Sequence, residues 1–187
     1  MNKKSRIYLA GHKGLVGSAI LKNLKKRGFL NLYYKTSKEL NLIDTKKTYN
    51  FLKSIKPEYI IIAAAKVGGI NANQKWPVEF LSHNLSIQNN IINAAYKCGV
   101  KNLLFLGSSC VYPVTTNEKI KENYILNNKL EKTNEAYAIA KIAGIKLCEY
   151  YKKQYNVNYF TLMPCNVFGP NDNYNLKTSH FLPAIIK

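Results

Sequence analysis

Short apolar runs alternate with stretches in which apolar residues return every three or four positions. Arg6–Ala10, Asn31–Lys35, Tyr59–Ala65, Leu103–Leu106 and Tyr159–Met163 read as strands. Between them Leu15–Arg27, Thr45–Ile55, Pro77–Cys98 and Glu135–Tyr155 read as helices. Leu15, Ala19, Leu21 and Leu24 form the expected apolar face of the first helix, Thr45 the expected N-cap of the second, and Pro77 suits a first turn. The strands lack polar alternation. Each is therefore expected to be covered on both faces, which predicts an α/β fold with a parallel sheet and helices on either side. Val114–Asn134 is polar and Asn-rich and reads as a long surface excursion. There are no repeats, linkers or internal boundaries, so residues 1–187 are expected to form one domain.

Composition narrows the picture. Of the 187 residues 47% are hydrophobic and 20% charged, enough apolar material for a core and too little charge for a disordered chain. No apolar run approaches the ~18–20 residues of a membrane span. The start, Met1-Asn2-Lys3-Lys4-Ser5-Arg6, leads straight into a strand with no apolar leader core, so a cytoplasmic, membrane-free protein is expected. The formal charge of +18 raises the question of nucleic acid. The basic residues are scattered lysines, however, with Arg6 and Arg27 the only arginines. Phosphate and base recognition favours arginine forks, so no nucleic-acid partner is expected. Cys98, Cys110, Cys148 and Cys165 form no C-x-x-C pair. Free thiols and no metal site follow, with Cys98, Cys148 and Cys165 expected to pack.

Two groups carry chemistry. Gly11-His12-Lys13-Gly14-Leu15-Val16-Gly17 stands between the first strand and the first helix. Glycines there allow a tight turn and let backbone N–H groups approach a pyrophosphate at the helix N-terminus, the arrangement of a dinucleotide site. The second strand ends Tyr34-Lys35-Thr36-Ser37-Lys38, with cations where an acid would grip a ribose hydroxyl, so NADP is expected over NAD. Asp44 either lies near the adenine or caps the next helix. The second group is Gly107-Ser108-Ser109-Cys110 at the end of the fourth strand and Tyr137-Ala138-Ile139-Ala140-Lys141 on a helix. Tyr137 and Lys141 are i and i+4 and share a face. The ammonium is expected to lower the phenol pKa, making Tyr137 an acid–base group for a carbonyl, with Ser108 on the same oxygen.

These segments, with ELNLID at Glu39–Asp44, AAAKVGGI at Ala63–Ile70, MPCNVFGPNDN at Met163–Asn173 and SHFLPA at Ser179–Ala184, resemble the extended short-chain dehydrogenase/reductases. Within them the chain is most similar to the GDP-4-keto-6-deoxymannose epimerase-reductases. The resemblance implies a Rossmann-like doubly wound domain and an NADPH-dependent oxidoreductase with epimerase activity. It would invert C3 and C5 of the GDP-sugar and reduce C4 to give GDP-L-fucose. Ser108, Tyr137 and Lys141 would be the reductase triad, and Cys110 and His180 the acid–base pair of epimerisation. Gly11, His12, Lys13, Gly14, Leu15, Val16, Gly17, Asp44, Ala64, Lys141 and His180 would contact NADP, with Pro164, Cys165, Asn166 and Val167 along the nicotinamide. A homodimer through Pro77–Cys98 and Glu135–Tyr155 is also implied. The last residues, Phe181–Lys187, start a helix without a stop signal, so most of the small C-terminal substrate domain is expected to be missing. The alternative expectation is a cofactor-binding module without turnover.

Overall fold

The computed structural model describes residues 1–114, 119–175, 178–179 and 181–186. His180 lies outside them. The strands are β1 (Ile7–Ala10), β2 (Leu32–Tyr33), β3 (Tyr59–Ile62), β4 (Asn102–Leu106) and β5 (Asn158–Leu162). The helices are α1 (Leu15–Lys26), α2 (Thr45–Ile55), α3 (Ile70–Lys75), α4 (Pro77–Lys97), α5 (Glu135–Tyr155) and α6 (Phe181–Ile186). All pairings are parallel, in the order β2-β1-β3-β4-β5. The order reverses direction beside β1, so the crevice that opens between β1 and β3 at their C-terminal ends is where an α/β sheet of this kind takes a ligand.

Handedness decides where the helices go. Crossovers between parallel strands are right-handed. The connections through α2, α4 and α5 all step toward β5, so these three helices share one face of the sheet, and α4 packs against both α2 and α5. The connection through α1 steps the other way and lies on the opposite face. The core accordingly sits on the three-helix side. Tyr8, Ile60, Leu103 and Tyr159 form one register row, and Ala10, Ile62 and Phe105 the next. They pack with Leu52, Ile91, Ile92, Ile142, Ile145 and Cys148 in a single cluster. Gly144 lets α5 approach β4 this closely: a Cβ there would stand 2.7 Å from the Phe105 ring. Gln88 ties α4 to α5 by donating to the Ala140 carbonyl at 2.6 Å.

Several expectations need correction. Asp44, not Thr45, caps α2, accepting from the Lys47 amide at 2.9 Å. β2 has only two residues, because only Ile7 and Tyr8 of β1 face it. β3 stops at Ile62, since its partner β1 ends where Gly11 turns. Ala19 is exposed, whereas Gly17 and Leu24 are the buried residues of α1. The short α3 was not foreseen. Among the described helices none is long and apolar enough to cross a membrane.

Candidate active site

The glycine turn is shaped by backbone contact. Gly11 has φ +86°, and a Cβ on it would lie 2.5 Å from the Ala64 nitrogen, so the turn rests directly on the chain leaving β3. A Cβ on Gly17 would lie 2.0 Å from the Gly11 carbonyl oxygen, so the first turn of α1 is pressed onto the same loop. Gly14 is different. It caps α1 without a side-chain hydrogen bond, and the nearest atom to its Cβ position is the Gly11 oxygen at an ordinary 3.6 Å. The protein itself does not require a glycine there. The first turn of α1 contains no acidic residue, and its amides have no side-chain cap. The open space at Gly14, beside uncapped amides at the positive end of a helix, fits a dinucleotide pyrophosphate.

The neighbouring corner is cationic but contains one acid. The centre of the His12 ring lies 4.7 Å from that of Tyr34, and the Lys25 Nζ stands 5.5 Å from the same Tyr34 ring centre. Partial burial holds the His12 pKa below its usual value, with Lys13 adding to the effect, and its Nδ1 is buried without a partner. Glu39 accepts from the Thr36 amide and hydroxyl, both at 2.8 Å, and pairs with Lys35 at 3.3 Å. Those Thr36 hydrogen bonds, more than Lys35, pull its pKa down to about 2. No acid stands at the end of β2 itself; Glu39, six residues beyond it, folds its carboxylate back to Thr36 and Lys35. Asp44 is spent on the α2 cap and a 3.7 Å pair with Lys47.

At the ends of β4 and β5 the other candidates meet. The Ser108 hydroxyl accepts from the Cys110 amide at 3.2 Å, opening a single 3-10 turn over Ser109–Val111. The Ser109 amide donates to the Pro164 carbonyl at 3.2 Å, fastening the exit of β5 to this turn. Tyr137, in the first turn of α5, hydrogen-bonds Ser108 and presents its ring edge-on to Phe80. Lys141 is one turn further in and only 4% exposed. Its Nζ donates to the Leu106 carbonyl at 2.7 Å, with the Tyr137 and Phe105 ring centres at 5.7 and 4.6 Å. Asn134, just before α5, donates to the Cys110 sulfur at 3.5 Å and leaves its Oδ1 buried without a partner. Asn134 was not anticipated from the sequence; only the fold brings it to Cys110. Cys165, Asn166 and Val167 are exposed on the loop leaving β5, which corrects the expectation that Cys165 packs. Cys148 does pack, and burial raises its thiol to about 12.

Electrostatics at the Tyr137–Lys141 pair differs from expectation. Withdrawal from water, with the nearby Cys110 adding to it, pushes the Tyr137 hydroxyl up; the Ser108 hydrogen bond only partly opposes this. Tyr137 is therefore a neutral phenol with a proton to give. Burial lowers Lys141 from 10.5 to about 8. Between pH about 8 and 10 the unfolded chain binds a proton at this lysine that the folded chain has released, so stability rises with pH across that window. The whole displacement is worth about 3 kcal/mol, and about 2 kcal/mol of it is recovered by pH about 9.5. Lys141→Met removes that dependence. The melting temperature of the variant relative to the parent should therefore fall by roughly 5 °C between pH about 7 and about 9.5. Parallel melting curves at the two pH values would contradict the burial.

The profile of the NAD dependent epimerase/dehydratase family matches residues 7–187. The chain belongs to that family. Over its whole length it is 50% identical to GDP-L-fucose synthase 1 of Arabidopsis thaliana, covering 58% of that protein. Over 98% of its length it is 48% identical to GDP-L-fucose synthase of Escherichia coli K12, covering 57% of it. The chain thus spans little more than half the length of these curated relatives. In three dimensions it resembles a GDP-D-glycero-L-gluco-heptose synthase from Campylobacter jejuni crystallised in the presence of NADPH. The TM-score is 0.94 at 40% identity, over all of this chain and 54% of that one. A GDP-L-fucose synthetase from Naegleria fowleri bound to NADP gives 0.89 at 29% identity, over all of this chain and 61% of the other.

Proposed function

We propose that this chain supplies the cofactor-binding and catalytic part of an NADPH-dependent epimerase-reductase that converts GDP-4-keto-6-deoxy-D-mannose to GDP-L-fucose. The observation that carries the reading is the meeting of Ser108, Cys110, Tyr137 and Lys141 at the C-terminal end of the sheet, which also bears the glycine turn. Relatives named for this reaction, and structures named for NADPH or NADP, support it.

Gly11, Gly14 and Gly17, with the α1 amides of Leu15 and Val16, would hold the pyrophosphate. His12, Lys13 and Lys35 would face the 2′-phosphate, Asp44 and Ala64 the adenosine side, and Pro164–Val167 the nicotinamide. When bound, NADPH supplies the hydride that reaches C4 of the sugar. Tyr137 gives its proton to the C4 oxygen in that step, held in line by Ser108, and Lys141 keeps a positive charge behind the phenol as it turns to phenolate. Before reduction, the C4 ketone acidifies the hydrogens on C3 and C5. Cys110, held by Asn134, and His180 exchange protons at these carbons from opposite faces. The active form is a homodimer in this reading. It is built on the exposed side of α4 and α5, where a cleft of about 470 Å³ is lined by Leu85, Ser86, Gln88, Ala143 and Leu147.

Titration of the chain with NADPH, followed by cofactor fluorescence, should saturate. A linear response to millimolar cofactor would overturn the proposal. Steady NADPH oxidation on adding GDP-4-keto-6-deoxymannose would assign turnover, whereas binding without oxidation would make the chain a cofactor module. Glu39 gives a finer test. Glu39→Gln removes the charge that competes for Lys35 while keeping an acceptor for Thr36. NADPH affinity should rise roughly twofold to fivefold, as expected for one exposed ion pair, with NADH affinity unchanged. Equal gains for both cofactors would remove Lys35 from 2′-phosphate recognition.

A further inference from the structure

Asparagine is among the residues that most favour the N-cap of a helix, because its side-chain oxygen can accept from an amide of the first turn. Asn134 holds that position on α5, and its carbonyl accepts from the Ala138 amide at 3.0 Å. Its side chain nevertheless makes no cap. The Nδ2 donates instead to the Cys110 sulfur at 3.5 Å. The Oδ1 is buried without a partner, so the sulfur is this side chain's one hydrogen-bond partner among the described residues. The turn before α5 fixes the arrangement. Glu131 accepts from the Thr133 amide at 3.1 Å and from its hydroxyl, and the Asn134 amide donates to the Glu131 carbonyl at 3.4 Å. Cys110 is fixed from its own side, where its amide donates to the Ser108 hydroxyl. A helix start has thus given up its usual cap and buried a polar oxygen, and both cost stability. What the site gains is a donor on one sulfur.

We infer that Asn134 is a positioning residue for Cys110, whose N–H fixes the sulfur and favours the thiolate, the form able to take a proton from carbon. The inference rests on the proposed epimerisation and deepens it. In the proton-taking half of that exchange the hydrogen beside the C4 ketone passes to the sulfur as a proton. The C–H electron pair moves onto the ketone oxygen as an enolate, and the reverse transfer restores the ketone. A hydrogen bond donated to a charged group favours its charged form, and bonds to ionised acceptors are the stronger kind. The first turn of α5, left without a side-chain cap, adds the positive end of a 21-residue helix on the same side. The other titratable groups around this corner do not supply the donor. Tyr137 on α5 is a neutral phenol bonded to Ser108, and Lys141 one turn further in has its Nζ on the Leu106 carbonyl. Glu131 is turned onto Thr133, and Glu135 at the start of α5 is exposed.

The test is the pH profile of Cys110 alkylation by iodoacetamide in the intact chain. Mass spectrometry of the peptide that carries Cys110 keeps exposed Cys165 out of the measurement. The rate follows the thiolate fraction, because the thiolate is the nucleophile. In Asn134→Ala the midpoint of the profile should rise by about one pH unit relative to the parent, which slows the reaction about tenfold at pH about 7. The plateau at high pH should stay within about twofold, since every thiol is ionised there. Asn134→Ser should give the same shift. Serine can cap α5 through its hydroxyl but has no amide to reach the sulfur, so the result does not depend on how well the alanine variant folds. An unmoved midpoint in the serine variant would overturn the inference. A changed plateau with an unmoved midpoint would overturn it equally, because Asn134 would then shape access to the sulfur and not its charge. Cofactor and substrate are absent from the measurement. Failure to bind NADPH or to turn over would sink the proposed function and leave the alkylation result standing, so the two proposals fail separately.

Discussion

Gly17→Ala should abolish NADPH binding and unfold the chain at a markedly lower temperature, whereas Gly14→Ala should weaken NADPH binding at least tenfold and leave the melting temperature nearly unchanged. The difference follows from what each Cβ meets. At Gly17 it would stand 2.0 Å from the Gly11 oxygen and 2.7 Å from the Gly11 carbonyl carbon, backbone atoms that cannot rotate away. The first turn of α1 must lift off the loop, an overpacking that costs about 3 kcal/mol or more and lowers the melting temperature by roughly 10 °C. At Gly14 the Cβ enters open space, with only the Gly11 oxygen in ordinary contact at 3.6 Å. Gly14→Ala should therefore melt within about 2 °C of the parent, since surface changes of this kind stay within about ±0.5 kcal/mol. It should nevertheless bind NADPH at least tenfold more weakly, because the methyl occupies the place proposed for the pyrophosphate. Calorimetry and cofactor fluorescence on the two variants decide the matter. Unimpaired NADPH binding by Gly14→Ala would remove the pyrophosphate from this turn. Equal melting by Gly17→Ala would show that the loop can yield.

Strands buried on both faces leave continuous apolar runs, so Ile7–Ala10, Tyr59–Ile62 and Asn102–Leu106 were visible. Their ends were not, because a strand stops where its neighbour stops: Ala63–Ala65 is as apolar as Tyr59–Ile62 but has no β1 beyond Ala10 to pair with. The spacing of Tyr137 and Lys141 placed them on one face of one helix. How deep they sit was not legible, since that depends on Phe105 from β4 and Phe80 from α4. Depth is what reverses the expected chemistry. A lysine in water beside a tyrosine would lower the phenol pKa, but burial raises the phenol and pushes the lysine itself toward neutrality. Asn134 and Glu39 escaped notice for a related reason. Each acts through a contact made by a loop, Asn134 with Cys110 from 24 residues away and Glu39 with Thr36 three residues back.

Tyr137→Phe tests the depth argument at the point of chemistry. The substitution keeps the ring, its edge-on contact with Phe80 and the cation over its face, and removes one hydroxyl whose partner is Ser108. Stability should hold within about 1 kcal/mol, the net worth of one hydrogen bond, and NADPH affinity should stay within twofold. Oxidation of NADPH by GDP-4-keto-6-deoxymannose should fall by about 10²–10⁴-fold, the usual contribution of a positioned proton donor. The parent's pH profile supplies an independent check. A phenol held protonated by burial remains a competent donor throughout the neutral range, so Tyr137 itself imposes no loss of rate there. Burial brings Lys141 down to about 8, so in the proposed reduction the phenolate would lose the charge behind it above that pH. The reduction rate should therefore decline as pH rises through about 8 in the parent. Lys141→Met should be slow at every pH and show no such decline. A rate that instead climbs through this range would mean that the tyrosinate is the working form, and that Tyr137 takes up a proton where the buried phenol is assigned to release one.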